Sequence, residues 1–88
     1  MPTIATSVVT VRVLLFGSYA EALGRDSLEL GLQLPATVGQ LLDRLREQPG
    51  GQRLPPRPLI ARNLSHVGLE AALADGDEVA ILPPLAGG

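Results

Sequence analysis

Residues 75–84 read Asp75-Gly76-Asp77-Glu78-Val79-Ala80-Ile81-Leu82-Pro83-Pro84, and Leu85-Ala86-Gly87-Gly88 follow. Asp75-Gly76-Asp77 is a turn, built from residues that bond their own backbone or tolerate unusual dihedrals. Glu78 to Leu82 is a strand, with Val79 and Ile81 on one face and Glu78, Ala80 and Leu82 on the other. Pro83-Pro84 ends it, because proline has no N–H to give to a sheet ladder.

Working outward, Val8 to Phe16 is rich in β-branched and apolar residues and predicts a first strand. Val11, Val13 and Leu15 share one face; Arg12, Leu14 and Phe16 share the other, so if Arg12 meets water, Phe16 does too. Gly17 to Gly24 is a connector in which Tyr19, Ala22 and Leu23 allow a helical turn. Ser27 to Leu34 alternates, placing Leu28, Leu30, Leu32 and Leu34 on one side of a half-buried strand.

Thr37-Val38-Gly39-Gln40 fits a capping box, and Val38, Leu41, Leu42 and Leu45 continue it as the apolar stripe of a helix. Arg44 and Arg46 suit that helix's C-terminal end. The Gly- and Pro-rich stretch Gly50 to Pro58 reads as a surface loop, and Leu59 to Arg62 as a short strand. Leu64 to Leu73 fits either a turn with a brief strand or a poor helix. The order predicts an α+β domain, a mixed β-sheet with one main helix on one face, over residues 8–84. Residues 1–7 form an N-terminal extension, and residues 85–88 a flexible C-terminal tail.

The chain has 88 residues, 45% of them apolar, enough for one core. It has no Cys, which excludes disulfides, thiolate metal sites and a thiol nucleophile. Net charge is -2, and the seven basic residues, all Arg, are scattered. With Phe16 and Tyr19 the only aromatics, nucleic-acid binding is disfavoured. No apolar run approaches the ~20 residues of a membrane span, and no signal-peptide pattern opens the chain, so a cytoplasmic location is expected.

A self-sufficient active site is not legible. His66 is the only histidine, and an exposed or interface role is its bland reading. Ser7, Ser18, Ser27 and Ser65 show no elbow or triad pattern. Asp75, Asp77 and Glu78 lack the remaining positions of a calcium loop, and no metal site is expected. Gly50-Gly51 has neither the leading strand nor the following Lys of a phosphate loop.

The tail is another matter. Gly87 and Gly88 have no Cβ, so they can enter a narrow channel behind the stiff Pro83-Pro84. A frayed terminus is the alternative. If first and last strands are neighbours, Leu14, Phe16, Ala80 and Leu82 gather into an exposed apolar patch near the tail, a mark of interaction sites. The alternative is that Gly17 to Gly24 covers them.

Val11-Arg12-Val13-Leu14-Leu15-Phe16, the Thr37 helix, and above all Asp75-Gly76-Asp77-Glu78-Val79 with the terminal Pro83-Pro84-Leu85-Ala86-Gly87-Gly88 resemble the MoaD family, the small subunits of molybdopterin synthase, within the wider MoaD/ThiS group of sulfur carriers. The resemblance implies a ubiquitin-like β-grasp fold with first and last strands adjacent and parallel. It implies that a MoeB-like adenylating enzyme uses ATP on the Gly88 carboxylate. A sulfur donor system then makes a thiocarboxylate, which a MoaE-like large subunit uses on a pterin precursor in molybdenum cofactor biosynthesis. The chain itself would hold no cofactor and be non-catalytic alone. Gly87 and Gly88 match the functional tail. Phe16 and Leu82 match the family's docking surface, to which Leu14, Ala80, Pro83, Pro84, Leu85 and Ala86 add. His66 falls where the family often carries an apolar docking residue. Thiamine or cysteine synthesis is the alternative client, and a β-grasp interaction module without chemistry the alternative class.

Overall fold

Alternation of apolar residues along Val8–Leu15 makes β1, whose Val9, Val11, Val13 and Leu15 are buried while Val8, Thr10 and Arg12 are exposed. The computed structural model describes residues 8–84. The N-terminal extension and the tail residues Leu85, Ala86, Gly87 and Gly88 lie outside the described residues.

The chain continues as α1 (Gly17–Leu23), β2 (Ser27–Gln33), β3 (Ala36–Thr37), α2 (Val38–Arg46), a 3-10 turn (Gly51–Arg53), β4 (Leu59–Arg62), β5 (Ser65–Val67), β6 (Ala72–Leu73) and β7 (Glu78–Leu82). The main sheet has the order β2-β1-β7-β4-β5. β7, last in the chain, thus enters the middle, parallel to β1 and antiparallel to β4. β3 and β6 form a small second ladder at the start of α2. This is the β-grasp arrangement, with the mixed sheet and main helix expected.

α2 begins as its capping box requires. The Thr37 hydroxyl accepts from Gln40 N, and the Gln40 side chain accepts from Thr37 N. Its Val38, Leu41, Leu42 and Leu45 are all buried against Val11, Val13, Ile60, Val79 and Ile81. At about 1.5–3 kcal/mol per buried side chain, that stripe contributes as much as the whole net stability of a small domain. Among the described residues, no polar or charged residue is buried.

Four local expectations are corrected. β1 stops at Leu15; Phe16, with extended φ, is the N-cap of α1. α1 is a seven-residue helix rather than a single turn, buries Tyr19, and ends on Gly24 at φ +74. β2 stops at Gln33, and Leu34 is 45% exposed beside Pro35 rather than on the core face. Gly50 to Pro58 is not wholly surface: Gly51, Leu54 and Pro58 are buried, and the Arg46 guanidinium donates to the Pro55 carbonyl. Leu64 to Leu73 resolves into β5 and β6, with no helix.

Candidate docking face and tail exit

Strand parity and register together assemble a face that α2 does not cover. Leu14 stands opposite Ala80 across the β1–β7 pair. Ala80 stands opposite Ala61, and Leu82 opposite Leu59, across β7–β4. Ala61 stands opposite His66 across β4–β5. Phe16 follows Leu15, whose partner is Ile81, and so lies beside Leu82.

Phe16 is 44% exposed and Leu59 47%; Leu14, Ala80, Leu82 and Ala61 are half-buried, and His66 is exposed. The patch that parity suggested is therefore open to solvent, and α1 does not cover it. Arg12, between Glu29 and Glu78 in the register, gives it a charged border. Leu59 and Ala61 were missed by sequence reasoning. A four-residue strand carries too little alternation to assign a face until its neighbour is known.

The face borders the end of β7. β7 runs out at Leu82, Pro83 is half-buried, and Pro84 is exposed. Gly17, at φ +56, lets α1 begin directly below this exit; a Cβ there would lie 3.2 Å from Pro83 Cγ. Pro83 is therefore packed against the first residue of α1, and the exit direction is set by the domain. Leu14, Phe16, Leu82, Pro83 and Pro84 are thus brought together, with Ala80 and His66 further along the same face. Gly87 and Gly88 lie outside the described residues.

The acidic turn serves the fold. Asp75 Oδ1 accepts from Thr10 N at 2.7 Å. Asp77 Oδ2 accepts from Ala74 N at 2.8 Å, and its Oδ1 from Asn63 Nδ2 at 3.0 Å. These bonds, first that from Ala74 N–H and then the Asn63 amide, with help from the Arg62 charge, hold the Asp77 carboxyl below its ordinary value. Among the described residues, no group of three or more His, Asp or Glu is placed to hold a metal ion. No helix there is long and apolar enough to cross a membrane.

Comparison with known proteins agrees with this geometry. The ThiS family model matches residues 13–88. The chain is 35% identical to the molybdopterin synthase sulfur carrier subunit of Escherichia coli, over 89% of this chain and 99% of that one. It is 37% identical to the protein of the same description from Mycobacterium tuberculosis, over 91% and 99%. SAMP1 from Haloferax volcanii superposes with a TM-score of 0.78 at 30% identity, covering 90% of this chain and 99% of that one. A chain in the complex of subunits 1 and 2 of molybdopterin-converting factor from Helicobacter pylori superposes at 0.69 with 26% identity, covering 91% and 100%. With its family model matched from the middle of β1 to the last glycine, and its β7 and Pro-Pro exit where that fold needs them, the chain belongs to the ThiS family.

Proposed function

We propose that this protein is a sulfur carrier subunit of molybdopterin synthase, working through the carboxyl group of Gly88. The carrying observation is the exit: β7 delivers Pro83-Pro84 at the border of an open apolar face. A partner can dock on that face while the tail enters its active site. The four residues after Pro84 span at most ~14 Å when extended, so that active site must lie within this reach of the exit.

The chemistry follows from the weakness of a carboxylate as an electrophile. In a MoeB-like adenylating enzyme, a Gly88 carboxylate oxygen attacks the α-phosphorus of ATP and expels pyrophosphate. Hydrosulfide supplied by the donor system then attacks the acyl carbon, AMP leaves, and a thiocarboxylate remains. In the complex with a MoaE-like large subunit, its sulfur passes to a pterin precursor, and hydrolysis returns the carboxylate. This chain's own residues bind and orient: Phe16, Leu14, Ala80, Leu82 and Leu59 dock, and Pro83 aims the tail. His66 adds a polar edge to the same face. ATP and the sulfur donor belong to the partners.

Intact mass after incubation with the cognate adenylating enzyme, ATP and a sulfur donor tests this. A gain equal to exchanging one oxygen for sulfur, mapped to a fragment ending in Gly88, is expected. Mapping separates it from oxidation of Met1. An unchanged terminus under these conditions refutes the carrier chemistry and leaves an interaction module.

A further inference from the structure

At the end of the open face away from Pro83, the β4–β5 hairpin turns through Asn63 at φ +50 and Leu64 at φ +74. Arg62 pairs with Ser65, so the loop has two residues, and both have the positive φ of a type I′ turn. Glycine is favoured at the second of these places. Leu64 instead sits on a left-handed backbone and is 93% exposed.

Asn63 holds the turn rigid. Its N–H donates to Glu78 O at 2.8 Å, its Oδ1 accepts from Glu78 N at 2.9 Å, and its Nδ2 donates to Asp77 at 3.0 Å. One exposed leucine on a surface asks for no explanation. A leucine held on a strained, immobilised backbone, where glycine would remove both the strain and the wet side chain, marks a place kept for contact.

We propose that Leu64 is a second apolar anchor of the docking face, seated in an apolar, basic-rimmed socket on the large subunit of molybdopterin synthase. This rests on the sulfur-carrier reading. The span fits one partner. Glu78 to Leu82 is four residue steps, about 13 Å, whereas a standard interface of ~800 Å² per side is roughly 32 Å across. Leu64 and the Phe16–Leu82 corner therefore fall within one footprint. The rim follows from charge: Asp77 and Glu78 both bond Asn63 in the hairpin turn, and the nearby Arg62 guanidinium donates to the Ala72 carbonyl. Rigidity favours the anchor, since little freedom remains to be lost on docking.

The test uses the full chain, a recombinant large subunit of molybdopterin synthase, calorimetric titration and thermal melts. Leu64→Gly is expected to melt above wild type, because the strain is relieved, yet to bind at least ~10-fold more weakly. Leu64→Asn, which tolerates the left-handed backbone, should bind as weakly without loss of fold. Wild-type affinity should fall as salt is added. Unchanged affinity in both variants overturns the anchor while leaving the carrier reading intact, and salt-insensitive binding overturns the basic rim. No complex with the wild-type chain overturns the anchor together with the assignment to molybdopterin synthase.

Discussion

Gly51→Ala tests the packing that holds α1 and α2 together. A Cβ at Gly51 would lie 1.9 Å from Leu45 O and 2.8 Å from Arg46 Cα, where real Cβ contacts are not found under 3.0 Å. The obstacle is helix backbone, not the end of a flexible side chain, so the 3-10 turn must back away by about 1.1 Å, the difference 3.0 − 1.9. That shift loosens Leu54, which is 4% exposed at the edge of the core. Overpacking of this kind costs ~1–3 kcal/mol, and a clash with fixed backbone belongs at the upper end. For a domain of this size, about 3 kcal/mol lowers Tm by roughly 12–24 °C. Gly24→Ala is the control. It meets nothing within 4 Å and carries only the strain of φ +74, about 1 kcal/mol. Thermal melts and urea titration of both variants decide the matter. A Gly51→Ala protein within ~0.5 kcal/mol of wild type would refute the close approach of the turn to α2.

Phe16→Ala should weaken docking to the large subunit. With 44% of a side chain of roughly 200 Å² available, about 90 Å² at ~25 cal/mol per Å² is about 2 kcal/mol, or some 30-fold in Kd. Its Tm should fall less than that of Leu42→Ala, so a larger fall with unchanged Kd would place Phe16 in the fold rather than the interface. Asp77 sets an acid limit. Its folded pKa lies below the ordinary 3.8, so protonation favours the unfolded chain. The stability it contributes is present above that value and is lost as pH falls through and below it. Asp77→Asn should lower the urea midpoint at neutral pH and flatten its decline into the acid range; a parallel decline would remove Asp77 from the account.

Much of the domain was legible because its signals are local. The Thr37–Gln40 capping box and the Val38–Leu45 stripe specify α2 within a few turns of chain. The alternation in β1 and β7 assigns their core faces. Where the reading slipped, a neighbour decided. Leu34 continues the alternation of β2 but lies past the last ladder pair with Val8. The Gly50 to Pro58 stretch has loop composition, yet the gap between α1 and α2 buries Gly51 and Leu54. Leu64 to Leu73 has no clear period; its strands exist because β4 and β3 offer them edges.

By itself, then, the sequence determined the inward faces of β1 and β7 and the capped start and apolar stripe of α2. These follow from side-chain periodicity and backbone chemistry, which act over a few residues. Only the tertiary structure decided that β7 lies between β1 and β4, so that Leu14, Ala80, Leu59 and His66 share one open face with Phe16 and Leu82. It also decided that Asn63 locks Leu64 beside the acidic turn. Strand order and long-range hydrogen bonds join residues far apart in the chain, and they arise from closing one common core rather than from any local pattern.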